Sequence, residues 1–319
     1  QIQYFKVTQY FFFKQWSELK HYANQKGIKI IGDMPIYVAA DSVEVWTKPE
    51  LFQLDKERNP LFVAGVPADQ FSATGQLWGN PLYAWEEHKK QGYAWWIHRI
   101  EESFKIYDVL RIDHFKGFSD YWQVDGKAEV AKDGSWQPGP GYDLFKAVKE
   151  QLGDLPIIAE DLGNIDDKAR KLLTDCNYPG MKILQFGFED VSGESLDSPH
   201  YCIPHSIVYT GTHDNDVTNG WYNSLTEQQQ QYTNDYTHRR EDESICQAMI
   251  RQLFATVSNT AIATMQDVLD LPASSRMNVP STIGGNWQWR MQQSDLTQDK
   301  KDFLAKMTTL YQRANQEKQ

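Results

Sequence analysis

The sequence predicts an α/β fold in which helices pack outside a mainly parallel β-sheet. Segments with apolar residues at helical spacing alternate along the 319 residues with short apolar runs that have the length of buried strands. Acidic residues follow several of these runs at the point where each strand would end. A doubly wound sheet and a (β/α) barrel both fit the alternation. No GxGxxG or P-loop motif follows a strand, and reactive residues at the carboxyl ends of strands are typical of barrels.

The first helix and strand lie at the start of the chain. Apolar residues recur at helical spacing over residues 12–23, Gly27 ends the pattern, and an apolar run begins at Ile28. The same unit recurs, which predicts further helices near residues 95–106, 144–152, 169–176 and 245–257. Six strands are predicted near residues 28–38, 108–114, 156–161, 181–188, 206–213 and 260–266.

Long insertions follow the first two predicted strands, at about residues 39–95 and 116–141. Both are rich in glycine, proline and tryptophan, as segments that build a cleft would be. We therefore expect one catalytic domain over residues 1–319, with an inserted loop and helical subdomain at 39–95.

Composition excludes several classes of function. The net charge of −11, without a basic cluster, argues against a nucleic-acid partner. No apolar stretch is long enough for a membrane span, and the start has no export signal. The cysteines are odd in number and form no CxxC pair, which indicates a reducing, cytoplasmic location. Aromatic residues make up 13% of the chain and hint at stacking against sugars.

Carboxylates at the predicted strand ends are the candidate reactive groups. Because strand side chains alternate, Arg111 and Asp113 share one face, and Asp113, Glu160 and Asp214 from three strands can converge. Such a set suits glycoside chemistry with one attacking carboxylate and one protonated acid. Arg111 would keep its neighbour charged, while burial would raise the pKa of Glu160. The alternative is that these acids cap helices or pair with arginine.

Six segments in order make the prediction specific: IGDMPIYVAADSVEVW, GVPADQFSATGQLWGNP, RIDHFKGF, IIAEDLG, GTHDND and NWQWR. They resemble the signature blocks of the 4-α-glucanotransferases, or amylomaltases, of glycoside hydrolase family 77. The resemblance runs from residue 1 to about 290 and implies a retaining transferase that moves α-1,4-glucan segments between malto-oligosaccharides without a cofactor. A glycine that the family usually has near this end is Ser281 here.

The resemblance implies roles for individual residues. Asp113 matches the nucleophile, Glu160 the general acid/base, and Asp214 the carboxylate that holds the distorted sugar. The block at 65–81 resembles a mobile loop over the acceptor side. The remaining implied substrate-binding residues are Arg111, His114, His213, Asp33, Asn215, Asp69, Phe71 and Trp78. His114 and His213 lack zinc-motif spacing, so we expect them to contact sugar hydroxyls and expect no metal.

The resemblance also implies a TIM (β/α)₈-type barrel that is incomplete here, with about six of eight strands and loop insertions that form a glucan cleft. We expect a missing N-terminal segment or a second chain to complete it. Two other functions remain open: an α-glucan hydrolase with the same carboxylates, and a non-catalytic glucan-binding or inactive fragment.

Overall fold

A computed structural model describes residues 1–68, 74–163 and 165–314. The chain divides into two compact units, Gln1–Pro179 and Gly180–Gln319, each with its own parallel sheet and apolar core. The single domain over residues 1–319 stays a prediction.

The first unit contains helices and strands in alternation, as the sequence predicts. Its helices are α1 (Ile2–Gln25), α2 (Val43–Thr47), α3 (Trp85–Lys90), α4 (Ala94–Ile106), α5 (Tyr142–Leu152) and α6 (Asp167–Cys176), with 3₁₀ turns at Pro49–Leu51 and Phe115–Phe118. Its strands are β1 (Ile31–Met34), β2 (Phe62–Val66), β3 (Gln76–Pro81), β4 (Val109–Ile112), β5 (Asp120–Asp125), β6 (Ser135–Pro138) and β7 (Ile157–Ala159).

Strand β4 is the centre of the parallel sheet β1-β4-β7. Its register places Arg111 beside Asp33 on one side and beside Ile158 on the other. Leu110 and Ile112, which lie on the opposite face, are fully buried in the core. Strand periodicity thus separates an aliphatic face from a face that carries charge, as the sequence predicts.

The two insertions build one antiparallel sheet with the order β3-β2-β5-β6. Strands β2 and β3 belong to the segment 39–95, so this segment contains strands as well as the predicted loops and helices. Part of the predicted loop 65–81 is likewise strand, because Gln76–Pro81 pairs with β2. The pairing of β2 with β5, which lie about 60 residues apart, is not encoded in a local pattern.

The helices of the first unit pack their apolar faces on the sheet. Trp96 and Ile100 of α4 and Leu144 and Phe145 of α5 are almost fully buried in this core. Helix α1 differs, because none of its residues is buried. It contacts the unit through Trp16, whose Nε1 donates to the carbonyl of Ile106 at 2.8 Å and whose ring lies edge-on to Tyr107.

The second unit has the parallel sheet β10-β9-β8. Its strands are β8 (Gly180–Ile183), β9 (Ser206–Tyr209) and β10 (Thr260–Ile262). Its helices are α7 (Leu184–Glu189), α8 (Thr218–Ser224), α9 (Glu227–Thr237), α10 (Ile245–Ala255), α11 (Met265–Val268) and α12 (Gln298–Leu310), with 3₁₀ turns at Pro199–Tyr201, Ala273–Ser275 and Gln293–Asp295.

All six predicted strands are present but shorter than predicted, and one prediction is partly wrong. The run 181–188 leaves the strand after Ile183 and continues as helix α7. Its apolar residues fit both periods, because Leu184, Phe186 and Phe188 alternate while Leu184, Gly187 and Phe188 share a helical face. The structure buries Leu184, Gly187 and Phe188, which lie on one helical face, so the run is a helix. Among the described helices, none is both long and apolar enough to cross a membrane.

Gly32 is a position where the fold leaves no room for a side chain. A Cβ on Gly32 would lie 2.0 Å from Cδ2 of Tyr107, whose ring packs against strand β1. We expect Gly32→Ala to lower the free energy of unfolding by about 1–3 kcal/mol through overpacking. In a double-mutant cycle, Tyr107→Ala should relieve part of this cost, so the two losses should not add. Urea unfolding measures all four proteins, and strict additivity would contradict the proposed contact.

Candidate active site

Arg111 and two carboxylates form the centre of the candidate site in the first unit. Nη1 of Arg111 lies 2.6 Å from Oδ1 of Asp33 and 2.9 Å from Oδ1 of Asp113. The guanidinium side chain is 9% exposed, whereas both carboxylates are about 40% exposed. A buried cation therefore holds two carboxylates that remain open to a ligand.

The protonation of Arg111 follows from these contacts. Burial disfavours its cation, but the charges of Asp33, Asp113 and Glu160 outweigh burial and raise the pKa of Arg111 above its ordinary value. The guanidinium is thus a permanent positive charge between the ends of β1 and β4.

Glu160 is fixed beside this group by backbone hydrogen bonds. Its amide donates to the carbonyl of Ile112, and its own carbonyl accepts from the amide of Phe115, both at 3.0 Å. Its side chain accepts from the amides of His114 and Leu162, each at 2.8 Å. Both carboxyl oxygens are therefore oriented by main-chain donors on two loops.

The pKa of Glu160 is raised to about 7. Burial is the largest cause and the charge of Asp113 adds to it, while Arg111 and the two amide donors act in the opposite direction. Near neutral pH, Glu160 is therefore available both as a proton donor and, once ionised, as a base.

His114 lies in the turn between the end of strand β4 and the 3₁₀ turn Phe115–Phe118. Its backbone is left-handed, with φ of 48°, and this conformation turns its amide toward Glu160. A non-glycine residue in this region carries strain, which the surrounding hydrogen bonds must hold. Burial lowers the pKa of His114 to about 4, and Lys116 contributes, although Asp113 opposes the shift. The imidazole is thus neutral, and its Nε2 is buried without a hydrogen-bond partner among the described residues.

Trp78 lies directly against His114. Their ring centroids are 4.9 Å apart in an edge-on arrangement, and Tyr37 lies 6.3 Å from Trp78 on another side. Trp78 remains 36% exposed, so packing does not use up its surface. The predicted stacking residue is therefore a neighbour of the predicted nucleophile's loop.

His213 and Asp214 form a second group, in the second unit, after strand β9. Nε2 of His213 lies 3.4 Å from Oδ2 of Asp214. Oδ1 of Asp214 accepts from Nδ2 of Asn278 at 2.6 Å, and the ring of Trp287 lies 5.1 Å from that of His213. The predicted convergence of Asp214 with the carboxylates of the first unit stays a prediction.

Asn215 has a structural task. Its Oδ1 accepts from both the amide and the hydroxyl of Thr212 at 2.8 Å, which closes the turn that presents Asp214. Its predicted contact with sugar stays a prediction. Asp69 and Phe71 lie outside the described residues.

Sequence reasoning missed Arg276 and Asn278, which support Asp214, and gave no role to Trp287. They lie in an irregular segment without helical or strand periodicity, so only the motif NWQWR could have drawn attention to Trp287. Within the described parts of the chain, side chains spaced to share a metal ion are found at His98, Glu101 and Glu102, exposed on α4. Neither predicted site histidine belongs to that set.

Comparison with known proteins identifies the family. Residues 1–297 match glycoside hydrolase family 77, the 4-alpha-glucanotransferases. The chain belongs to this family. The resemblance predicted from the six sequence blocks is thereby confirmed.

Relatives in this family cover nearly all of the chain. The 4-alpha-glucanotransferase of Streptococcus pneumoniae serotype 4 is 53% identical over 314 residues, which are 98% of this chain and 62% of that protein. The chloroplastic/amyloplastic 4-alpha-glucanotransferase of Solanum tuberosum is 43% identical over 92% of this chain and 51% of its own length. The chain thus spans less than two thirds of the relatives that it matches.

A solved structure confirms the α/β fold of this family. The amylomaltase from Streptococcus agalactiae, solved in complex with acarbose, matches with a TM-score of 0.97 and 60% identity. The match covers 98% of this chain and 63% of that chain.

Titration of Glu160 should be visible in the stability of the protein. The pKa of Glu160 is 4.5 in the unfolded chain and about 7 in the folded protein. Between these two pH values the folded protein retains a proton that the unfolded chain releases, so the free energy of unfolding falls as pH rises. Glu160→Gln removes this dependence. We expect the unfolding free energy of the variant minus that of the wild type to rise by about 3 kcal/mol from pH ~4 to pH ~8, since each unit of pKa shift corresponds to about 1.4 kcal/mol.

Urea unfolding of both proteins across this range measures the difference. A constant offset between the two curves would mean that Glu160 titrates as an ordinary exposed carboxyl.

Proposed function

We propose that the protein is a retaining 4-α-glucanotransferase that transfers α-1,4-glucan segments between malto-oligosaccharides. The observation that carries the proposal is the contrast between two neighbouring carboxyl groups. Asp113 accepts from a buried guanidinium, whereas Glu160 is desolvated and has a raised pKa. A charged carboxylate beside a protonatable one is the arrangement that glycoside chemistry requires.

In the first step, a carboxylate oxygen of Asp113 attacks the anomeric carbon while Glu160 donates its proton to the departing glycosidic oxygen. The donor's bond breaks, and a glycosyl ester of Asp113 forms. In the second step, Glu160, now ionised, accepts the proton of the acceptor's 4-hydroxyl as that oxygen displaces Asp113. Two displacements give retention, and Glu160 ends protonated, as it began.

Asp214 would act as the third carboxylate, which accepts from hydroxyls of the distorted sugar. Its side chain is 43% exposed, so it is open to a ligand. Carboxylate bonds to sugar hydroxyls that strengthen in the transition state supply part of the rate enhancement in this chemistry.

Trp78 and His114 would serve the sugars on either side of the scissile bond. The exposed face of Trp78 is suited to stacking, and Nε2 of the neutral His114 lacks a partner among the described residues. A sugar hydroxyl would satisfy that nitrogen.

Strands β1, β4 and β7, together with β8, β9 and β10, would be six strands of a (β/α)₈ barrel, since each set is parallel and carries helices between its strands. The inserted segments would form the glucan cleft. We place the activity in the cytoplasm, because Cys176, Cys202 and Cys246 are free thiols, which are typical of a reducing compartment.

Incubation of the purified protein with maltotriose tests the function. A transferase should give glucose and a ladder of longer glucans, with no net gain of reducing ends. Formation of glucose and maltose alone would identify a hydrolase, and an unchanged substrate would overturn both enzymatic functions.

Asp113→Asn should abolish turnover, since the amide keeps the shape of the side chain and loses the attacking charge. We expect kcat to fall by at least about 10³-fold, with acarbose binding retained in calorimetry. Asp143→Asn is the matched control, because Asp143 lies on α5, where its exposed side chain pairs with Lys89 of α3. Substantial transfer by the Asp113 variant would assign the nucleophile to another residue.

Trp78→Ala should shift the products from transfer toward hydrolysis. Loss of the stacking surface weakens acceptor binding and admits water to the glycosyl ester. The control is Trp46→Ala, which removes a tryptophan that is 71% exposed in the same inserted segment. Product analysis gives the transfer-to-hydrolysis ratio, and the same ratio in both variants would leave Trp78 with a packing role only.

A further inference from the structure

The segment from Arg276 to Asn278 forms hydrogen bonds with the backbone of His213 and with the backbone and side chain of Asp214. Three hydrogen bonds make these contacts: Asn278 Nδ2 to Asp214 Oδ1 (2.6 Å), Arg276 Nη2 to the Asp214 carbonyl (2.6 Å) and the Asn278 amide to the His213 carbonyl (3.1 Å). A fourth bond, from Arg276 Nε to the Asn278 carbonyl (2.8 Å), lies within the segment. The first three of these bonds join positions that are distant in the chain.

The side chains of Arg276 and Asn278 have different roles in these contacts. Both bonds of the Arg276 guanidinium reach main-chain carbonyls, so they hold the loop itself. Of the four bonds, the one from the side chain of Asn278 reaches the carboxylate of Asp214, and it sets the direction of that group. The other oxygen, Oδ2, lies 3.4 Å from His213 and stays available on a side chain that is 43% exposed.

An amide suits this task better than a cation would. It fixes the position of one carboxylate oxygen without forming an ion pair with it, while the nearby guanidinium of Arg276 binds main-chain carbonyls instead. Hydrogen bonds from ligand hydroxyls to such a carboxylate are charge-assisted and strong.

We propose that Asn278 is a positioning residue that holds the carboxylate of Asp214 in its reactive orientation. The inference rests on the proposed function, in which Asp214 binds the distorted sugar. Because the bond acts on a group that works in the transition state, its loss should affect kcat more than KM.

The test compares Asn278→Ala, Asn278→Asp and the wild type with maltotriose as substrate. Asn278→Ala should lower kcat about 10- to 100-fold, as expected for a misplaced reactive group, and change KM by less than about threefold. The melting temperature should stay within a few degrees of the wild type. Asn286→Ala is the matched control, because the side chain of Asn286 bonds within its own loop, to Val279 and Thr282.

Asn278→Asp gives a readout that a purely structural role would not produce. Two carboxyl groups at this distance cannot both be ionised without repulsion, so they share a proton at low pH. The introduced carboxyl group donates as the amide does while it is protonated, but it repels Asp214 once it is ionised. The activity of this variant relative to the wild type should therefore fall as pH rises, whereas the relative activity of Asn278→Ala should not change with pH.

Wild-type kcat in Asn278→Ala, or a pH-independent ratio for Asn278→Asp, would overturn the inference while the wild type still makes glucan ladders. A loss of melting temperature that accounts for the lost activity would also overturn it. Absence of transfer in the wild type would instead overturn the proposed function.

Discussion

The buried guanidinium of Arg111 is the contact on which the candidate site of the first unit depends. It lies on the central strand β4, and its register brings Asp33 of β1 beside it. Removing this cation would leave Asp33 and Asp113 without their shared partner at the carboxyl ends of β1 and β4, with Glu160 adding a third charge when ionised. The carboxylates of Asp33 and Asp113 would then repel each other, although water screens part of this repulsion because both side chains are about 40% exposed. Arg111 therefore joins the stability of the sheet to the charges available for chemistry.

Around this cation, two neighbouring carboxyl groups acquire different properties. Asp113 is a direct partner of Arg111, while Glu160 is held by main-chain amides and desolvated, which raises its pKa to about 7. The strained backbone of His114 makes this possible, since its turn places one of those amides. The contrast in environment, rather than the presence of acids alone, is what separates nucleophile and acid/base in the proposed mechanism.

The sequence predicted what depends on periodicity and left out what depends on distant contacts. Alternation placed Arg111 on the charged face of β4, and the helical pattern located most of the long helices. The antiparallel sheet of the insertions was not predicted, because its central strands β2 and β5 pair across a long stretch of chain. The ambiguous run after Ile183 was resolved by burial, and the role of Asn278 needs a contact that no local pattern encodes. Ser281, at a position where the family usually has glycine, is left-handed with φ of 61°.

In the proposed mechanism, a glucan becomes covalently bound to Asp113 during turnover. Trapping with a fluorinated glycosyl fluoride, followed by proteolysis and peptide mass spectrometry, tests this claim most directly. We expect the added glycosyl mass on the peptide that contains Asp113, and we expect the Asp113→Asn variant to acquire no label. A label on another carboxylate, or continued turnover by a protein that never becomes labelled, would contradict it.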